Sequence, residues 1–252
     1  MGGYPTRAGS LEAMRVLAES GVDLIELGVP YSDPLADGPV IRDAADEARA
    51  AAGGTFGLAE TIDLVREFVS SAGEDAVPVA LMTYLNPLMR GGLAKVAQAM
   101  RDASVAGVII PDLPPDMAKP WLTVSHGIDT VFLAAPTSTP ERLAKVGAAS
   151  RGFVYCVSTN GVTGERSELP KGLAAIIDRV RASTSLPVAV GFGVSTPEQA
   201  AAVSRLADGV VVGSAMVRRQ RDTAELRLFV SQLSHAIKAA GRGDQAPRRT
   251  GR

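Results

Sequence analysis

A carboxylate in the middle of an apolar, strand-like run is costly unless it is paired or chemically employed. Glu26, in the run IELG, is such a residue, and the stretch that follows, VPYSDPLADGP, adds Asp33 and Asp37. One carboxylate on a rigid strand and another on a loop can hold different proton affinities, because one is desolvated and the other wet. A general acid–base pair needs that difference. The spacing equally admits a Glu26 paired with a buried Lys or Arg, and aspartates that only make turns.

Two further regions have the residue types of a site. Residues 158–170, STNGVTGERSELP, form a long, glycine-punctuated, hydroxyl-rich stretch suited to a lid, or to an ordinary surface loop. Gly191-Phe192-Gly193 and Gly213-Ser214 each end an apolar run. Glycines there leave backbone N–H groups open at helix starts, where a phosphate binds well, although glycine also serves tight turns. Asp112, before Leu-Pro-Pro, is either a turn cap or a site residue. Cys156 reads as a small core residue inside a strand, Trp121 as a side chain packing helix to barrel, and His126 as a cap at a helix end.

These residues need a scaffold, and the chain supplies an alternating one. Seven strand-like runs cover residues 23–28, 77–84, 107–112, 130–136, 152–158, 186–191 and 208–213. They are almost continuously apolar, which means burial on both faces and hence a parallel sheet. Helices are expected at 10–20, with Ser10 as N-cap and Gly21 as stop, and at 55–70, with Leu58, Ile62, Val65 and Val69 on one face. Residues 139–148 and 196–207 each open with Thr-Pro-Glu, a cap followed by proline at the first helical position. Residues 222–240 read as a last amphipathic helix.

Evenly spaced βα units without a linker favour one closed (β/α)8 TIM barrel of class α/β, spanning residues 1–240, over an open sheet. The polar segment 241–252 is expected to be a disordered tail. Such a barrel needs eight strands. Only MGGYPTRAG precedes Ser10, so the first strand is expected to be short or missing, or the natural start to lie upstream of Met1.

Composition narrows the function. The 252 residues are 46% hydrophobic and 4% aromatic, so aliphatic side chains must fill the core. A net charge of −1 with mixed signs gives no argument for nucleic acid or an anionic membrane as partner. One cysteine excludes an intramolecular disulfide and, with two distant histidines, argues against a metal site. No cofactor is expected. The N-terminus lacks an apolar signal region and no apolar run has the length of a membrane span, so a cytoplasmic location is expected.

The segment 26-ELGVPYSDPLADGP-39 closely resembles the signature of the tryptophan synthase alpha subunits, and further segments agree in order: GGYP at 2–5, PDLPP at 111–115, SxxGVTG at 158–164, GFGV at 191–194 and GSAMV at 213–217. The resemblance implies a barrel lyase that cleaves indole-3-glycerol phosphate to indole and glyceraldehyde 3-phosphate. It matches Glu26 and Asp37 to the family's catalytic carboxylates, and Tyr155 to a tyrosine beside the glutamate. Thr163 matches a lid threonine that contacts the aspartate on closure. Gly164, Gly193, Gly213 and Ser214 match groups that hold the substrate phosphate, and Leu81 and Phe192 match apolar residues around the indole. Asp112 matches a position tied to communication with the beta subunit, the partner expected in an αββα assembly. Family members carry a helix and a strand ahead of the GGYP segment, and an aromatic residue of that strand lines the indole pocket. Tyr31 stands where phenylalanine is common, and Asn160 where serine is common. Two other readings share the same residues: a stand-alone indole-3-glycerol-phosphate lyase of secondary metabolism, and a weakly active regulatory partner of the beta subunit.

Overall fold

The computed structural model describes residues 1–73, 76–157, 172–191 and 193–241. Helix α1 (Arg7–Glu19) leads into β1 (Ile25–Gly28), α2 (Pro39–Ala51) and α3 (Leu58–Ala72). Then come β2 (Val79–Met82), α4 (Leu85–Gly91), α5 (Leu93–Asp102) and β3 (Gly107–Ile109). A short turn of 3₁₀ helix at Pro115–Met117 precedes α6 (Lys119–Val124), β4 (Asp129–Val131), β5 (Leu133–Ala134) and α7 (Pro140–Ala149). The chain continues through β6 (Val154–Val157), α8 (Leu173–Arg181), β7 (Val188–Gly191), α9 (Pro197–Ser204), β8 (Gly209–Val210), α10 (Ser214–Arg219) and α11 (Thr223–Gly241).

All the strand pairs are parallel, in ladders β1-β2-β3-β4 and β5-β6-β7-β8. Strands β4 and β5 are one sequence run divided at Phe132. On one side of that residue the run pairs with β3, and on the other with β6. The eight labelled strands are therefore the seven apolar runs, one of them divided at Phe132. The chain is a TIM barrel of class α/β, as expected.

Among the described residues no strand precedes α1, and no ladder joins β8 to β1. The segment from Met1 to Tyr4 occupies that side of β1. Gly2 N–H donates to Gly28 O at 2.9 Å, and Met1 and Tyr4 are buried against Ala44, Ala45 and Ala48 of α2 and Val217 of α10. Gln220 fastens the segment: its Nε2 donates to Met1 O (2.8 Å) and Tyr4 O (2.6 Å), and its Oε1 accepts from the Met1 amino group (2.9 Å).

The barrel strands have two kinds of face. Ile25, Leu27, Val79, Leu81, Val108, Phe132, Val154, Cys156, Val188 and Val190 pack outward into one layer with the helices. Ala80, Met82, Ile109, Val131, Leu133, Tyr155 and Val157 cluster on the inside. Trp121 joins helix to barrel as expected, with Nε1–H donating to the buried Thr130 hydroxyl at 3.0 Å. His126 does not cap α6 with its side chain: that helix ends at Val124, and the His126 carbonyl accepts from Arg101.

Helix starts at 140 and 197 lie where Thr-Pro-Glu puts them, with Thr139 and Thr196 accepting from the N–H of Arg142 and Gln199. The first helix starts earlier than expected. Thr6, not Ser10, is its N-cap, and accepts from Gly9 N–H at 3.1 Å. Ser10 is fully buried, with its hydroxyl directed at Met1 O. A threonine without a glutamate three residues on is a weak cap signal, and only packing of the preceding segment settles the choice. Helix α3 begins after Gly57, whose N–H donates to Glu60 Oε2, while Thr55 closes a turn on Ala52 O. The predicted tail from 242 onward lies outside the described residues.

Candidate active site

Period-two alternation along β1 sends Ile25 and Leu27 outward and Glu26 inward, in register with the inward Ala80 of β2. As a whole residue Glu26 is half-buried, yet its Oε2 is sealed from solvent and has no hydrogen-bond partner among the described residues. An unpartnered buried carboxylate oxygen disfavours the charged form. The Glu26 pKa is accordingly raised from its ordinary 4.5 to about 7. Burial is the main cause; the neighbouring terminal amino group pulls it down, and the Asp37 charge adds to the rise.

Tyr155 of β6 is buried within reach of the Glu26 charge, and its own pKa lies well above the ordinary phenol value, from burial first and from Glu26 second. Gly191, at the end of the neighbouring β7, makes room for it. A Cβ at that position would collide with the Tyr155 hydroxyl.

Asp37 is carried by the loop after β1 and is half-buried rather than wet. Its pKa is raised by burial, while a hydrogen bond from the Tyr84 phenol and the Arg42 charge work in the opposite direction. Both carboxylates are therefore lifted, but Glu26 has a sealed oxygen without a hydrogen-bond partner among the described residues, and in that respect their environments separate. Asp33 is exposed, accepts from the Ser32 hydroxyl at 2.5 Å and stands apart from the pair.

Tyr84 is the group that sequence reasoning passed over. It is buried, its hydroxyl accepts from Ala36 N–H at 2.9 Å, and its ring lies 5.3 Å from that of Tyr31. The available signal was a phenol closing the strand run 77–84, at the C-terminal end where barrel enzymes keep their chemistry.

Leu81 does not belong with these groups. It has no exposed surface and packs in the outer layer, so it does not face Glu26. Met82, one residue on, turns inward and takes the position expected of an apolar wall. Asp112 lies exposed beyond β3, with Oδ1 accepting from Leu85 N–H at 2.9 Å. Gly193 has φ +94°, which favours glycine, and Gly213 and Ser214 open α10, with space around the Gly213 Cα. Thr163, Gly164 and Phe192 lie outside the described residues, as does the expected lid. Cys156 is a buried free thiol pushed up to about 11 by burial, an inert core position. No described helix is long and apolar enough to cross a membrane.

The whole described fold has close relatives. The family described as "Tryptophan synthase alpha chain" matches residues 1–240, beyond the range 2–217 covered by the motifs. The chain is 46% identical over 239 residues to the tryptophan synthase alpha chain of Mycobacterium marinum, covering 94% of this chain and 86% of that one. It is 42% identical over 241 residues to the Nocardia farcinica alpha chain, covering 94% and 88%. Among solved structures, a Mycobacterium tuberculosis tryptophan synthase superposes with TM-score 0.84 at 43% identity, over 93% of this chain and 89% of that one. Subunit alpha from Legionella pneumophila gives 0.84 at 33% identity, over 94% and 90%.

Proposed function

This chain belongs to the tryptophan synthase alpha chain family, and from that premise we propose that its barrel mouth cleaves indole-3-glycerol phosphate, with Glu26 as the acid–base group. The observation that carries this reading is the sealed, unpartnered Oε2 of Glu26 with its pKa near 7. Such a group is poised between its protonated and charged forms at neutral pH, so it can both give and take a proton. The reaction breaks the bond between indole C3 and the glycerol side chain. Indole leaves poorly until C3 is protonated, which turns the ring into an electron sink. Glu26 supplies that proton. Asp37, kept toward its charged form by Tyr84 and Arg42, accepts the indole N–H and stabilises the positive charge that develops on the ring. The Glu26 carboxylate then takes the proton of the side-chain hydroxyl as the carbon–carbon bond opens, releasing indole and glyceraldehyde 3-phosphate. Tyr155 packs beside Glu26 and limits where its carboxyl can go.

The phosphate is assigned to backbone N–H groups of Gly193, Gly213 and Ser214, with Gly164. First-turn amides have no acceptor inside their helix, and glycine lets an anion approach them closely. Thr163 and Phe192 are assigned to lid closure and the indole wall. Met82 replaces Leu81 as a wall residue. No cofactor enters this scheme.

A beta subunit is the partner in this reading, docking at the strand C-terminal end as in an αββα assembly. Leu35, Met89 and Met117 support it: they are 78%, 61% and 66% exposed, and they lie in the segments that follow β1, β2 and β3. Exposed apolar groups in three successive segments after strand ends favour an assembly over a stand-alone lyase. A cytoplasmic location belongs to the same proposal. The test is indole release from indole-3-glycerol phosphate, with Glu26→Gln as control, alone and with a beta subunit. Release that rises with the beta subunit and disappears in Glu26→Gln supports the reading; release unchanged by Glu26→Gln refutes it.

A further inference from the structure

Tyr84 touches two consecutive residues of the Asp37 loop with one oxygen. Its hydroxyl accepts the Ala36 N–H at 2.9 Å and lies within electrostatic reach of the Asp37 carboxylate on the adjoining residue. The ring stacks against Tyr31, whose hydroxyl accepts from Asn86 Nδ2 at 2.9 Å. The next residue, Leu85, gives its N–H to Asp112 at 2.9 Å. The segments after β1 and β3 are thus held at two consecutive residues, Tyr84 and Leu85.

We propose that Tyr84 is a positioning residue for this reaction: its hydroxyl sets the place and orientation of the Asp37 carboxylate, and the adjoining backbone ties that carboxylate to the Asp112 loop. The proposal rests on the reading of Asp37 as the acceptor of the indole N–H. A carboxylate on a loop of Pro, Asp and Gly residues has many orientations, and an acceptor displaced by an ångström loses much of its value. A phenol O–H fixes one side of the carboxylate and leaves its other lone pairs for substrate. The groups facing Asp37 are Tyr84 from the end of β2, Arg42 from α2 and Glu26 from β1; Asp112 faces Tyr84 in turn.

The experiment is kcat/KM for indole release against pH in wild type, Tyr84→Phe and Tyr31→Phe, with Glu26→Gln as blank. Tyr84→Phe keeps the ring and its stacking but removes the hydroxyl. A hydrogen bond to a charged group is worth enough that we expect kcat/KM to fall about tenfold. Because the phenol favours ionised Asp37, the acid limb moves to higher pH in Tyr84→Phe and stays in place in Tyr31→Phe. Thermal unfolding remains close to wild type. A kcat/KM within twofold of wild type overturns the proposal, as does an unmoved acid limb. Loss of the fold in Tyr84→Phe, or an equal shift in Tyr31→Phe, also overturns it, since the hydroxyl would then be structural. If wild type releases no more indole than Glu26→Gln, the functional reading fails instead. The Asp37 carboxyl titration followed by NMR then decides the positioning role, and must move upward in Tyr84→Phe.

Discussion

Leu81 and Met82 are neighbours in sequence and opposites in surroundings. Leu81 has no exposed surface and packs among strands and helices, whereas Met82 turns inward with Ala80 and stays partly open. The same alternation on β1 puts Ile25 and Leu27 into the outer layer and Glu26 into the barrel mouth. The outer layer is apolar, and its strand residues are buried against the helices. The inner, upper face keeps a half-open methionine, a carboxyl oxygen with no partner and a tyrosine seated over a glycine. One face invests in stability, and the other accepts a polar cost where chemistry is proposed.

The contrast can be broken by substitution. Glu26→Gln should lower indole release about a thousandfold, within the range for general acid–base groups, while the protein stays folded; retained turnover would remove chemistry from the inner face. Leu81→Ala should cost about 3 kcal/mol in urea unfolding, with turnover per folded molecule kept within a few-fold. A specific loss of turnover there would put Leu81 back beside the substrate.

Stability against pH sharpens the same contrast. The folded pKa of Glu26, about 7, lies above its ordinary 4.5, so the folded protein holds a proton that the unfolded chain releases. That contribution is complete below pH 4.5 and is lost as pH rises through about 7. Glu26→Gln, which cannot ionise, should therefore gain on wild type across that window, by about 3 kcal/mol at most. Because the buried Met1 amino group, lowered from 8.0 to about 5, titrates in the opposite sense, the comparison is between proteins: an equal difference between wild type and Glu26→Gln at pH 5 and pH 8 would contradict a buried, unpartnered Glu26. The smallest effect is expected for Met82→Ala: KM should rise a few-fold, with a stability loss of about 1 kcal/mol, because a half-open side chain leaves little cavity.

Much of the site was legible because its signals are local. A glutamate in an apolar run and a loop of Pro, Asp and Gly mark themselves without knowledge of their neighbours. The Thr-Pro-Glu helix starts are equally local, and both were found in place. The Asp37 environment was less legible. The loop reads as wet, and only its burial in the folded barrel raises the Asp37 pKa.

The sequence by itself determined the alternation of strands and helices, the parallel sheet and the two carboxylates, since propensity, hydrophobic period and residue type act over a few residues. Only the tertiary structure decided which face each strand residue presents, because a run apolar on both sides carries no mark of inside and outside; that is why Met82 and not Leu81 lines the mouth. It decided the cap at Thr6 over Ser10 through the packing of Met1 to Tyr4. It also decided the partner of Asp37, a phenol on another strand, since hydrogen bonds between distant segments exist only once the barrel has brought them together.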